Sequence, residues 1–171
     1  MSKILVLGNS GSGKSSFSSA LGKKLGICYM HLDAVVYLKS WDTPHFKEME
    51  SKVNVLMEKD TWIIDGNFLN NALDRFDKCD TIFFLDINRF TCLYSVLKRT
   101  IMYKGKHRES RNDNCDERIT KSYLKWVFFD YYKTSRKKII NIIENSKDKK
   151  IVVFKNRRQI NKYLKGLVIW R

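Results

Sequence analysis

The run Gly8-Asn9-Ser10-Gly11-Ser12-Gly13-Lys14-Ser15 fits the pattern GxxxxGK[ST], with a second serine at Ser16. These residue types at this spacing hold phosphate. Glycines reach backbone conformations closed to other residues and let successive N–H groups converge on one concavity. A helix that opens directly afterwards adds its own N-terminal donors and partial positive charge. Lys14 is placed to reach the β- and γ-phosphates of a nucleotide, and the Ser15 hydroxyl to ligate Mg²⁺. A nucleoside triphosphate with Mg²⁺ is therefore the expected ligand of Gly8 to Ser16.

A metal–nucleotide complex also needs carboxylates, and Asp33, Asp65 and Asp86 each stand at the end of a predicted strand. Asp86, in "FFLD", resembles a Walker B pattern, but it directly precedes "INRF" and could instead cap the next helix. Asp65 is followed by Gly66, which allows close approach of a ligand, and is the preferred metal carboxylate beside Ser15. Positive groups follow the fourth strand: Arg99 on a helix, then Arg108 and Arg111 with Lys104 and Lys106 in an irregular stretch. Arginine suits a transferring phosphoryl group because its planar fork stays charged and binds phosphate oxygens in pairs.

The elements that must position these residues are legible as alternating strands and helices. The apolar run Lys3 to Leu7 stops at Gly8, and Phe17, Ala20, Leu21 and Leu25 mark a helix from Lys14 to about Leu25. "ICYM" is a short second strand ending at "HLD". Met49, Val53, Leu56 and Met57 predict a helix from Phe46 to Glu58, with Pro44 suited to its first turn. "TWIIDGN" and "TIFFLD" give a third and a fourth strand, and the unbroken apolar character of the fourth predicts burial on both faces. A helix is expected from Arg89 to about Tyr103 and one long helix from about Arg118 to Glu144. "KIVVF" is a fifth strand and Arg157 to Lys165 a last helix. The pattern is that of a doubly wound α/β protein with its ligands at the carboxyl ends of a parallel sheet.

At 171 residues and 43% hydrophobic content, the chain is expected to form one domain spanning residues 1–171. No apolar run approaches the roughly 20 residues that span a bilayer, and no basic leader precedes the first strand, so a cytoplasmic protein without a membrane partner is expected. Cys28, Cys79, Cys92 and Cys115 form no metal-type pair and are read as reduced thiols. A net charge of +15 favours anionic partners without selecting among them.

With the cradle, "HLD", "DGN" and the basic stretch in this order, the chain resembles P-loop kinases of the adenylate and shikimate kinase type. The segments "GNSGSGKSS", "HLDAVVYLKSW", "WIIDGNF", "FFLDINRFTCLYSVLKR", "YKGKHR" and "KNRRQINKYL" together look like the DNA topology modulation proteins of the FlaR type. The resemblance implies a three-layer α/β/α P-loop NTPase fold with a five-stranded parallel sheet and a helical or loop lid at about 103–118. It implies that Asp33 contacts substrate or metal, that Asp65 lies near Mg²⁺ and that Arg99 is the lid-helix arginine. Arg108 and Arg111 would contact phosphate from the lid, and Asn156 and Arg157 would lie in the loop that meets adenine. Adenylate-type kinases carry DGFPR where this chain has Asp65-Gly66-Asn67-Phe68-Leu69, so the substrate-binding arginine of that motif is missing.

Three functions compete on this footing. A kinase would move the γ-phosphoryl of ATP to a small-molecule or nucleotide acceptor, with Lys14, Asp33 and Arg99 as its catalytic side chains. An ATP-regulated DNA-binding protein would use the basic residues Lys121, Lys125, Lys133, Arg136, Lys137 and Lys138 interleaved with Trp126, Tyr131 and Tyr132. A nucleotide-hydrolysing switch would report ATP to a protein partner.

Overall fold

The computed structural model describes residues 1–37, 45–102 and 119–167. Five strands, β1 (Lys3–Gly8), β2 (Tyr29–His31), β3 (Trp62–Asp65), β4 (Thr81–Leu85) and β5 (Lys150–Phe154), form one sheet in the order β2-β3-β1-β4-β5. Every neighbouring pair is parallel, so all the carboxyl ends emerge at one edge. In chain order the helices are α1 (Lys14–Leu25), α2 (Leu32–Val36), α3 (Phe46–Met57), α4 (Asp74–Lys78) and α5 (Arg89–Met102). There follow α6 (Lys121–Lys125), a π-helical turn (Trp126–Asp130), α7 (Tyr131–Lys133), α8 (Ser135–Asn145) and α9 (Arg157–Gly166).

The unbroken apolar strands serve two layers at once, because successive side chains of a strand point to opposite faces. Leu5 and Leu7 of β1 pack with Leu32, Val36, Met49, Val53 and Ile139 on one side of the sheet. Ile4 and Val6 pack with Phe17, Leu21, Cys92, Val96 and Ile160 on the other. The result is the expected three-layer α/β/α fold. Phe17 of α1 locks the second layer by edge contacts to Phe83 and Phe154, with ring centroids 4.9 and 5.6 Å apart. Burying each such side chain contributes about 1.5–3 kcal/mol.

The chain departs from the expected single helix over Arg118 to Glu144. After α6 the ladder widens to a π turn, in which the Tyr131 N–H bonds back to Trp126 O, and Thr134 then leaves helical geometry at φ −117°, ψ −80°. Thr134 Oγ1 also donates to the Asp130 carbonyl at 2.7 Å, a back-bond of the kind that bends helices. Apolar periodicity predicts that such a segment is helical but is blind to where its ladder is broken. Pro44 and the end of the helix expected at Tyr103 lie outside the described residues.

Asp86 does not cap the next helix but is held by two cations. Its two oxygens accept from Arg136 Nε at 2.7 Å and Nη2 at 2.8 Å, and Lys155 Nζ approaches one of them at 2.6 Å. The cap of α5 is Asn88, whose Oδ1 accepts the Phe90 N–H at 2.8 Å. Burial pushes the Asp86 carboxyl up, but the hydrogen bonds and charges of Arg136 and Lys155 outweigh it and hold its pKa below the usual carboxylate value.

A folded-state pKa lower than the unfolded value of about 3.9 means that this contribution is fully present above the unfolded pKa and is lost as pH falls through the folded one. Asp86→Asn should lower the unfolding free energy by about 1–3 kcal/mol at neutral pH, since both cations keep some solvent access. Denaturant titrations of the two proteins should differ at neutral pH and converge as pH falls below the usual carboxylate value. Equal stability at neutral pH would exclude the ion pair as a brace.

Candidate functional site

The phosphate-type turn from Gly8 to Lys14 links β1 to α1, and the structure holds it from several directions. The Asn67 side chain grips Gly8 twice, accepting its N–H at 3.1 Å and donating to its carbonyl at 2.9 Å. Asn9 Nδ2 donates to the Val127 carbonyl of the π turn at 2.7 Å. The Asn9 carbonyl accepts from the Ser12 N–H at 3.2 Å and from Lys14 Nζ at 3.1 Å. Arg157 Nη2 reaches Gly11 O at 3.3 Å and Ser95 Oγ at 2.7 Å, tying α9 and α5 to the turn. Gly11, at φ +78°, is required by packing, for a Cβ there would stand 2.3 Å from the Cys92 carbonyl oxygen.

The turn fits a phosphate group. Helix α1 opens on Gly13, which brings no side-chain cap, so its first N–H groups are left to an external acceptor. No described atom lies within 4 Å of the place a Gly13 Cβ would take. Ser12 Oγ is buried with no hydrogen-bond partner among the described residues, a donor that a bound oxyanion would satisfy. Lys14 is buried, with 8% of its surface exposed, and Ser15 is half-buried beside it. Ser10 is half-buried and Ser16 exposed.

Asp33 opens α2 after β2, and Asp65 ends β3, so the two carboxylates rise from adjacent strands. Asp65 is 1% exposed and meets His31 Nδ1 through Oδ2 at 2.5 Å; an ionised carboxylate requires that nitrogen to carry the proton. Asp33 keeps solvent access, as the wall of a cleft does, while protein atoms crowd its carboxyl. That crowding raises its pKa, Lys14 opposes the rise, Asp65 adds to it, and Arg99 and His31 oppose it more weakly. Lys14, Asp33, Asp65, His31 and Arg99 thus form one electrostatic group at the carboxyl edge of the sheet. Ser15 and Asp65 are the residues that could hold Mg²⁺, an ion that takes much of its shell from phosphate and water.

Several expectations need relocation. Gly66, at φ +128°, serves packing rather than ligand approach, because a Cβ would fall 2.8 Å from Leu32 Cβ. Asn156 caps α9, its Oδ1 accepting the Gln159 N–H at 3.0 Å. Arg157 braces the Gly8–Lys14 turn directly. Arg108 and Arg111, with the lid expected at about 103–118, lie outside the described residues, as does Cys115. The aromatic residues of the DNA-binding alternative turn inward: Tyr131 is 1% exposed, Trp126 packs edge-on against it, and Tyr132 donates to Ile87 O at 2.6 Å. Tyr131 is thus closed to a stacking base, while Trp126 and Tyr132 are half-buried.

Sequence reasoning passed over three residues of the site. His31 stood in plain view in "HLD". Asn67 was noticed only as part of "DGN", though an asparagine beside a glycine at a strand end is a ready local hydrogen bonder. Arg75 carried no signal, since nothing in its neighbourhood marks a buried arginine.

No family model and no curated protein matches the chain. Solved structures do match. A deoxyadenosine kinase from M. mycoides, determined with products dCMP and dCDP, aligns over 95% of this chain and 94% of its own, with TM-score 0.56 and 17% identity. A shikimate kinase from Bacteroides thetaiotaomicron aligns over 95% of this chain and 93% of its own, with TM-score 0.56 and 12% identity. At these identities the likeness is one of fold, and the fold is that of P-loop kinases. No helix among the described residues is long and apolar enough to cross a membrane.

The packing around Gly11 makes a stability test that needs no ligand. Gly11→Ala should cost more than about 2 kcal/mol, combining backbone strain with a clash against a main-chain oxygen. Gly26→Ala, at φ +67° with open space around it, should cost only about 1 kcal/mol. Urea unfolding of both variants measures the difference, and equal costs would remove the close approach of the turn to α5.

Proposed function

We propose that the chain is a phosphotransferase that moves the γ-phosphoryl group of ATP, taken up with Mg²⁺, to a small acceptor in the cleft beside Asp33. The observation that carries this reading is that Lys14, Asp65 and Arg99 stand within electrostatic reach of Asp33, beside a phosphate-type turn whose Ser12 hydroxyl is buried without a partner among the described residues. The likeness of the fold to a deoxyadenosine kinase and a shikimate kinase supports it.

The main-chain donors of residues 8–14 and the Lys14 ammonium bind the phosphates. Arg99, on the helix that leaves β4, neutralises charge on the group in transfer. The Ser15 hydroxyl and Asp65 would hold Mg²⁺, which when bound would supply further charge neutralisation to the phosphates. Asp33 accepts the proton of the acceptor hydroxyl as that oxygen bonds to the γ-phosphorus, the bond to the β–γ bridging oxygen breaks, and ADP leaves. A carboxyl with a raised pKa is the better base for this step, provided it remains ionised at working pH. Arg157, which touches the turn at Gly11 O, and Asn156, at the start of α9, would frame the base of the nucleotide.

Lys14→Ala should weaken ATP binding by at least about a hundredfold, through loss of the cation nearest the phosphates. Asp33→Asn should lower turnover by about 10²–10⁴-fold and leave ATP affinity near that of the wild type. Phosphorus NMR of the protein with ATP, Mg²⁺ and a panel of nucleosides, nucleotides and small hydroxylated metabolites measures the transfer. Acceptor-dependent ADP formation with a new phosphoester signal is the expected outcome. Slow release of inorganic phosphate with every acceptor would overturn the reading.

A further inference from the structure

The phosphoryl-transfer reading leaves one buried cation without a task. Arg75, in the five-residue helix α4, is 0% exposed, and burial lowers its pKa to about 10, so it remains charged at neutral pH. Its Nη2 donates to the main-chain carbonyls of Asn67 and Phe68, the second at 3.2 Å, and the guanidinium lies 4.7 Å from the Phe76 ring centroid. Nε and Nη1 have no hydrogen-bond partner among the described residues, and no described ion pair includes Arg75. Burying a charge without a counter-charge is costly. A chain that accepts this cost for the sake of two carbonyls is using the charge to hold them.

The backbone there requires holding. Phe68 stands at φ +27° and Ala72 at φ +47°, both in the left-handed region that side chains other than glycine rarely occupy. The strained turn presents the Asn67 amide, which takes both the N–H and the carbonyl of Gly8, the first glycine of the phosphate-binding turn. The contacts therefore run in series from Arg75 to the 67–68 backbone, from there to the Asn67 amide, and on to Gly8.

We infer that Asn67 and Arg75 are positioning residues for phosphate binding: Asn67 clamps Gly8, and Arg75 sets the clamp by holding the Asn67 and Phe68 carbonyls. Neither residue needs to touch the nucleotide for this. Residues acting in series predict non-additive effects, because once the clamp is gone its support has nothing left to do. The inference rests on the phosphotransferase reading only in naming ATP as the ligand of the turn.

The test uses the full chain and the variants Asn67→Ala, Arg75→Lys and the double variant. ATP affinity is measured by calorimetry with Mg²⁺ and Gly8 amide exchange by NMR, well below each unfolding midpoint. Asn67→Ala should weaken ATP about tenfold, as expected for two lost hydrogen bonds, and should speed exchange of the Gly8 N–H. Arg75→Lys, which keeps a charge but loses the fork, should act in the same direction, and the double variant should be no weaker than Asn67→Ala alone. A lowered melting temperature with unchanged ATP affinity and unchanged Gly8 exchange would reduce both residues to packing and overturn the inference, as would multiplicative effects in the double variant. A wild-type chain that binds no ATP overturns the phosphotransferase reading, while Gly8 exchange in the same variants still decides whether Asn67 and Arg75 position the turn.

Discussion

A loop that offers its N–H groups to an anion has to be held in place by other means. That constraint organises the structure around residues 8–14. The turn is secured largely through its carbonyls: Asn67 on Gly8 and Arg157 on the Gly11 carbonyl reach it from distant parts of the chain, and Lys14 holds the Asn9 carbonyl from the end of the turn itself. Asn9 extends the same logic outward by donating to Val127 O. Each anchor comes from a different element, so the phosphate-binding geometry is assembled only when both layers of the fold are packed.

The π turn at Trp126–Asp130 makes sense in this setting. In a regular helix a carbonyl is occupied by the N–H four residues on, and a π turn loosens that ladder. The Val127 carbonyl, buried against the turn, takes the Asn9 amide as a partner. Asn9 Nδ2 is thereby satisfied in a place where an unpaired donor would cost about 1–3 kcal/mol. Local helical irregularity and phosphate-turn placement are two sides of one hydrogen bond.

Local chemistry was legible in the sequence, and long-range chemistry was not. GxxxxGKS between a strand and a helix located the cradle, and unbroken apolar runs such as "TIFFL" revealed strands buried on both faces, because both signals lie within a few residues of each other. Asp33 and Asp65 were readable as strand-end carboxylates for the same reason. Asp86 was indistinguishable from them, since its partners Arg136 and Lys155 stand 50 and 69 residues away. Arg75 and Asn67 escaped notice because their roles depend on where carbonyls fall in space, and no periodicity encodes that.

The fate of Asp86 also shapes the field in the cleft. Three carboxylates follow β2, β3 and β4 at one edge of the sheet, and three uncompensated negative charges would repel a polyphosphate. Two cations consume the charge of Asp86, and His31 engages Asp65. Asp33, whose pKa is raised by crowding and by Asp65, remains the carboxylate open to solvent. The three acids thus stand in different environments: Asp86 locked into the scaffold, Asp65 buried beside a histidine, and Asp33 open to solvent. On the phosphotransferase proposal, this separation would let one sheet edge tolerate phosphate and still present a base.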